Sequence, residues 1–236
     1  MTTLPITFST HNRTEYATTC LKKLIENLKF DGDIYLYICD DRSTKEHINS
    51  LIETLRTCNF SNYEIISCTE EHYGYGYVLN TALDKAYSYS DVALTMEDDW
   101  LLQTKTDFNI PVNMLLNNSD KYAGIRLCAR KKPYGVIHNN LPDNFFMFKN
   151  VPRLFFAHYV FQCMLRHKKI FEKIRFLENT FPQRAELDLK DKYKKIVLKP
   201  KLNHLLMLNY ILPDGSPIFK HIGKISTMPG NRNNYR

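Results

Sequence analysis

Three carboxylates stand side by side at Glu97, Asp98 and Asp99, and the chain's single tryptophan, Trp100, follows them. They close the apolar run DVALTM (91–96), which reads as a buried strand. Adjacent acids repel one another, so the pattern asks for a positive partner or for solvent. A hard divalent cation is one answer. Mg2+ or Mn2+ takes oxygen ligands and is typically held by one or two carboxylates plus substrate phosphates. A solvated turn is the other answer, and the triplet alone does not choose between them.

Three more clusters carry chemistry. In CDDRST, Asp40 and Asp41 end a second apolar run. An acid there can accept from a nucleobase N–H or a ribose hydroxyl. It can also serve the positive end of the next helix, although Ser43 and Glu46 already form an S-x-x-E capping box. In YGYGYVLN (73–80), Gly74 and Gly76 precede a helix whose first turn holds Asn80. Glycine lets backbone approach a ligand, and a helix N-terminus favours phosphate. The G-x-G-x-x-x-N pattern departs from the dinucleotide fingerprint, and it follows the third strand rather than the first. In HIGKIST (221–227), His221 could complete a metal shell and Lys224 could meet a diphosphate as a point charge. A lone histidine so placed is also an ordinary surface residue.

The elements that must position these residues alternate. LPITFS (4–9), DIYLYIC (33–39), YEIISC (63–68) and DVALTM (91–96) read as strands. Between them, Ala17, Cys20, Leu21, Leu24, Ile25 and Leu28 mark one helical face, with Thr14 as its N-cap. Ile48, Leu51, Ile52 and Leu55 mark a second face; Leu79, Ala82, Leu83, Ala86 and Tyr87 mark a third. Alternating strands and helices imply right-handed βαβ units and a mostly parallel sheet. Ligands on such sheets bind at the carboxyl ends of the strands. THNR (10–13), DDRS (40–43) and EDDW (97–100) all land on that edge.

The second half is less regular. YAGIRLCARK (122–131) reads as a strand and NNLPDNFFMFKNVPRLFF (139–156) as loops packed on the sheet. Val160, Met164, His167, Phe171 and Ile174 suggest a helix over 157–177. KIVLK (195–199) suggests a late strand, and FKHIGKISTMPGNRNNYR (219–236) a loop. The 236 residues suit one large α/β domain, and the net charge of +7 favours anionic partners. The basic runs ARKKPY (129–134) and KDKYKKIVLKPK (190–201) read individually as solvated faces. No apolar stretch approaches the roughly 20 residues of a membrane span. MTTLPITFST shows no signal pattern, and the scattered cysteines form no CxxC pair. The expectation is a cytoplasmic protein with reduced cysteines, in the host cytoplasm if viral.

Taken together and in this order, the clusters resemble the GT-A glycosyltransferases, over roughly residues 4–105 plus the tail motif. STHNR resembles the segment that lies against the nucleotide base, which implies donor-binding roles for Thr10, Asn12 and Arg13. CDDRS resembles the DDxS of family 2 enzymes, in which an Asp recognises uracil or ribose; this implies Asp40 and Asp41. GYGYVLNTAL resembles the GxGxxxNxGL segment beside the donor and carries over Gly76 and Asn80, with Ala82 where the family often has Gly. MEDDW resembles the DxD motif in the E-D-D form of N-acetylglucosaminyltransferase I-like enzymes. Asp99 would then be the direct metal ligand, and Asp98 would face the donor ribose or sugar. HIG resembles the C-terminal His that closes over metal and diphosphate, which implies His221 as a metal ligand with Lys224 beside the diphosphate.

The resemblance implies a GT-A fold: a Rossmann-like, mostly parallel sheet with helices on both faces and a C-terminal acceptor lobe. Residues 1–105 would form the nucleotide-sugar-binding half and 106–236 the acceptor-binding half with the C-terminal metal and diphosphate loop, in one continuous domain. It also implies transfer of a hexosyl or pentosyl unit, with Mn2+ or Mg2+, from a nucleotide-diphosphate donor, UDP-sugar favoured, to a hydroxyl. An inverting reaction needs a carboxylate to deprotonate the acceptor. QRAELDL (183–189) offers Glu186 and Asp188 where family 2 members often carry an ED-type base, but reads E-L-D here. A helix start with acids near its positive end explains the same residues.

Two other classes compete. A nucleotidyltransferase would place a Gly-rich, basic loop directly after the first strand, and STHNRTEY has no Gly. A non-catalytic nucleic-acid-binding protein would use the net charge of +7, yet leaves EDDW unexplained because acids repel phosphate. For a transferase, the acceptor favoured is a glycan or lipid-linked sugar. The alternative is a hydroxylated base of DNA, as in modified bacteriophage genomes, which would require base flipping.

Overall fold

The computed structural model describes residues 3–128, 136–137, 141–148, 163–180, 182–197 and 206–223. The first half follows the alternation seen in the sequence: β1 (Thr3–Thr10), α1 (Thr14–Asn27), β2 (Leu28–Lys29), β3 (Asp33–Asp40), α2 (Lys45–Thr57), β4 (Tyr63–Ser67), α3 (Tyr75–Ala86) and β5 (Val92–Glu97). Short β6 (Trp100–Leu102) and β7 (Thr106–Asp107) lead into α4 (Asn109–Asn117) and β8 (Tyr122–Arg126). The later elements are β9 (Val136–Ile137), β10 (Phe145–Phe148), β11 (Met164–His167), α5 (Lys168–Phe171), α6 (Pro182–Val197), β12 (Leu206–Tyr210) and β13 (Phe219–His221).

Nine strands form one sheet in the order β4-β3-β1-β5-β11-β8-β12-β10-β9. Pairings among β4, β3, β1 and β5 are parallel, as is β12 with β8; β11 and β10 run against their neighbours. The sheet is covered on both faces, and the period of two is visible in the packing. Leu36 and Ile38 of β3 and Leu94 and Met96 of β5 face one core with Phe8 and Leu21. Tyr37, Cys39 and Ala93 face the other, with Val78, Leu79, Phe171 and Tyr193. Each fully buried apolar side chain of this kind contributes about 1.5–3 kcal/mol. The six cysteines are free. No helix among the described residues is long and apolar enough to cross a membrane.

Five sequence expectations are corrected. The helix expected over 157–177 is, in its described part, strand β11 followed by the single turn α5. β11 lies between β5 and β8 and finds ladder partners on both sides. All four of its residues are buried, so it shows no alternation that could reveal a strand, and tertiary pairing overrides local periodicity. The late strand expected at 195–199 is helical as far as Val197, where α6 ends. That helix buries Ala185, Leu189 and Tyr193 at i, i+4 and i+8. FFMF, taken for loop, is strand β10, and FKH of the tail is strand β13 on β6. The helix caps are each displaced by one residue: Thr44, not Ser43, caps α2 and accepts from the His47 N–H, while Arg13 rather than Thr14 precedes α1.

The segment after α5 is tied to α3 by Asn80. Its amide donates to Phe176 O at 3.0 Å and Glu178 Oε1 at 2.6 Å, and its oxygen accepts from Phe176 N at 3.0 Å. Gly76 makes this approach possible, since a β-carbon there would meet the Leu177 carbonyl and sit 3.3 Å from Phe176 Cβ. Asn80→Ala removes the side-chain partner of both the Phe176 N–H and the Phe176 C=O. We expect a loss of about 2 kcal/mol of unfolding free energy in urea titrations; an unchanged midpoint would show that the strap carries no load.

Candidate functional site

The strand register sets the carboxyl ends of β3, β1 and β5 level. Thr10 lies beside Asp40, and Ser9 beside Glu97. The ladder extends one residue further: Asp98 N donates to Ser9 O at 2.9 Å and Asp41 N to Thr10 O at 3.2 Å. This brings the loop after β1 across the acidic end of β5.

Asp98 is fully buried. Its Oδ2 accepts from Thr10 Oγ1 at 2.9 Å and His11 N at 3.4 Å, and its Oδ1 is ion-paired with the Arg13 guanidinium. Arg13 Nη1 also donates to Asp99 Oδ2 at 2.6 Å, so one guanidinium joins both carboxylates. Asp99 Oδ2 also lies 3.1 Å from His221 Nε2. Since that oxygen only accepts, the imidazole donates to it. His221 is delivered by β13, where it pairs with Trp100 of β6, and Ile222 N closes the turn on Asp99 O at 2.9 Å. Gly223 then passes close over the carboxylate; an added β-carbon would come within 3.0 Å of Asp99 Cβ and Cγ.

Burial dominates the electrostatics. It pushes Asp98 up to about 6, against the stabilising charge of Arg13 and the Thr10 hydrogen bond. It pushes Glu97 up to about 8, and the charges of Asp99 and Asp98 add to the rise. Burial works against the Arg13 charge, but Asp98 and Asp99 outweigh it and hold that guanidinium above its ordinary value.

The neighbouring residues form a second cluster on the same edge. Asp40 is buried, and its Oδ1 accepts from Ser43 N at 3.0 Å. Asp41 is half-buried; its Oδ1 accepts from Cys68 Sγ at 3.3 Å. Asn12 holds φ 51° while its oxygen accepts from Thr44 N at 2.8 Å, so its side chain caps α2. Arg42, at φ 63°, lies over the Tyr73 ring at 4.6 Å.

The structure therefore brings Thr10, Arg13, Asp98, Asp99 and His221 into one contact network, with Asp40, Asp41 and Asn12 beside it. It does not bring Asn80 there, because all of that amide's polar atoms serve the strap to Phe176 and Glu178, and Gly76 is occupied by the same packing. Asp188 is paired within α6 to Lys192 Nζ at 2.6 Å. The Glu186 side chain, Lys224 and the run 129–134 lie outside the described residues. Sequence reasoning missed His47, which is buried beneath Thr10. The signal was present: His47 stands four residues before Leu51 and eight before Leu55, on the buried stripe that the apolar residues alone had marked.

A divalent cation fits the Asp99 corner. Asp99 Oδ1 is buried with no hydrogen-bond partner, and His221 Nε2 lies beside Oδ2, where it becomes a ligand once a cation displaces the proton it shares with that oxygen. Among the described residues no three His, Cys, Asp or Glu side chains gather as a ready-made cage. Asp99 and His221 would thus supply the protein's share, with phosphate and water completing the shell, which suits Mg2+ or Mn2+.

No family model and no curated protein matches the chain in sequence. Solved structures match it in fold. The mannosyltransferase PcManGT from Pyrobaculum calidifontis, in complex with GDP-Man and Mn2+, gives a TM-score of 0.56 at 11% identity, covering 90% of this chain and 58% of that one. S. aureus TarS 1–349 gives 0.58 at 16% identity, covering 93% and 60%. Glucosyl-3-phosphoglycerate synthase from Mycobacterium tuberculosis, in complex with Mn2+, UDP and glucosyl-3-phosphoglycerate, gives 0.56 at 12% identity, covering 95% and 73%. The fold is that of the GT-A class. This chain spans 58% and 60% of the first two structures.

Arg13→Leu leaves two adjacent carboxylates in a buried corner without their counter-charge. We expect it to lower the unfolding free energy by about 3 kcal/mol at neutral pH, and Asp98→Asn in the same chain to recover part of that loss. Equal urea midpoints for wild type and Arg13→Leu would contradict the clamp.

Proposed function

We propose that the chain is a glycosyltransferase that moves a sugar from a nucleotide-diphosphate donor, UDP-sugar favoured, to a hydroxyl acceptor with the help of Mn2+ or Mg2+. The observation that carries this reading is the Asp98–Arg13–Asp99–His221 network, with both carboxylates buried, at the carboxyl edge of the parallel strands, where α/β sheets bind ligands. The GT-A fold supports it, as do two of the structures above, PcManGT with GDP-Man and Mn2+ and glucosyl-3-phosphoglycerate synthase with Mn2+, UDP and glucosyl-3-phosphoglycerate.

The residues divide the work by position. Asp41 and Asp40, at the end of β3, present carboxylates to nucleobase or ribose. Asp98, the acid that the resemblance sets toward the ribose or sugar, is fully buried with its oxygens held by Thr10 and Arg13, so its share is to position that guanidinium at the edge of the donor site. Asp99 and His221 would hold the cation, which when bound acts as a Lewis acid on the departing diphosphate. Arg13 lies near enough to add positive charge at the same place. Lys224, one residue past the closed Gly223 turn, is assigned to the diphosphate. Residues 106–236 would contribute the acceptor lobe, with Glu186 as the base in an inverting reaction; Asp188 is the weaker candidate because Lys192 holds it. The acceptor assigned is a glycan or lipid-linked sugar. Hydroxylated DNA is the alternative, and the net charge of +7 supports including it.

The test is a thermal-shift panel of nucleotides and nucleotide sugars, with and without Mn2+, on wild type and Asp99→Asn. A ligand at 100 times its Kd stabilises by about 2.7 kcal/mol, which for a chain of this size is roughly 5–10 °C. The expected result is a shift that needs both nucleotide sugar and Mn2+ and disappears in the variant. Absence of any nucleotide-dependent shift would overturn the reading. Transfer assays on glycans against hydroxymethylated DNA then decide the acceptor.

A further inference from the structure

His47 is buried in the first turn of α2, with 1% of its surface exposed, and nothing in the donor-site reading uses it. Both of its ring nitrogens meet hydroxyls: Nε2 lies 2.8 Å from Thr10 Oγ1, and Nδ1 lies 2.8 Å from Thr14 Oγ1. Thr10 Oγ1 donates in turn to Asp98 Oδ2 at 2.9 Å. A threonine hydroxyl has one proton, and a carboxylate only accepts. Thr10 gives its proton to Asp98, so it can meet His47 only as an acceptor. The ring hydrogen must therefore sit on Nε2. Nδ1 becomes the acceptor, and the Thr14 hydroxyl donates to it. Burial lowers the His47 pKa from its ordinary value and so favours the neutral ring that this arrangement requires.

We propose that His47 is a positioning residue for the donor site, fixing Asp98 through a directed chain in which Thr14 donates to His47, His47 to Thr10, and Thr10 to Asp98. The chain joins the first turns of α1 and α2 to the ends of β1 and β5. Its geometry stands apart from the proposed activity; its consequence for transfer rests on that reading. Asp98 has two oxygens. One is taken by Arg13, which also holds Asp99, and the other by Thr10. If Thr10 rotates, Asp98 loses the anchor that sets the position of the guanidinium and, through it, of Asp99. An apolar side chain at 47 fills the same space but leaves Thr10 without a donor to hold its rotamer. A histidine present only for packing would be replaceable in that way.

Two measurements on the full chain test this. The first is 15N NMR of the histidine rings at neutral pH, with His47 assigned by comparison with His47→Gln. The expected spectrum shows protonated Nε2 and unprotonated Nδ1 at His47; a ring protonated on Nδ1 overturns the chain, whatever the protein binds. The second compares His47→Leu, His47→Gln and Thr10→Val in the transfer assay. Gln keeps an N–H able to reach Thr10, whereas Leu does not. His47→Leu is expected to lower kcat/KM by ~10- to 100-fold, as loss of supporting partners commonly does. Thr10→Val should match it, the double variant should be no worse than either, and His47→Gln should recover most of the loss. Wild-type kcat and KM in His47→Leu, or no recovery with Gln, would overturn the proposal. A wild-type protein that binds no nucleotide sugar would instead overturn the donor-site reading, and the ring spectrum would still decide the chain.

Discussion

One guanidinium on two carboxylates organises the carboxyl edge of this protein's sheet. Asp98 and Asp99 are adjacent, buried and of like charge, an arrangement that costs several kcal/mol per ion unless a cation is held against them. Arg13 supplies that cation from the loop after β1. It can do so because β1 and β5 are parallel neighbours whose ends are level. The sheet order, the register and the short path from Thr10 to Thr14 are therefore conditions for the clamp. The opposite side is closed by a chain segment far away in sequence, as β13 pairs with β6 and lays His221 and Gly223 over Asp99.

The clamp does not balance the corner. One arginine faces Glu97, Asp98 and Asp99, burial and mutual repulsion raise the first two, and a buried oxygen of Asp99 keeps no partner. A protein selected only for stability would have little reason to keep this excess of acid beneath a strand end. Under the proposed reading, a cation carried in with a diphosphate would balance this excess of acid. Preorganisation then matters as much as charge, which is why the hydroxyls and the ring beneath Asp98 belong to the same account as the acids themselves.

The first half of the fold and the edge of the site were legible in the sequence because strong local signals agreed there. DVALTM followed by EDDW, and DIYLYIC followed by DDRS, each show a strand and its polar end in a single stretch. β11 was not legible. Its four residues are buried on both faces between two other strands, so neither alternation nor turn residues marked it, and a chance helical spacing stood in their place. β13 was hidden for another reason: three residues become a strand only because β6 offers an edge to pair with. Arg13, which the resemblance sets beside the donor, lies on the acids, a contact between positions that only the sheet brings together. Asn80 carried a motif position but serves the core. His47 was concealed because a stripe traced by apolar residues alone leaves out a buried polar ring.

The most direct test of the central claim, that the Asp99–His221 corner holds a cation with a nucleotide diphosphate, is pulsed EPR on Mn2+ added with UDP to protein carrying 15N-labelled histidine. The account predicts a 15N hyperfine coupling together with a 31P coupling on the same Mn2+, the nitrogen signal vanishing in His221→Ala and both vanishing in Asp99→Asn. Mn2+ that shows only water and phosphate couplings, identical in all three proteins, would contradict it.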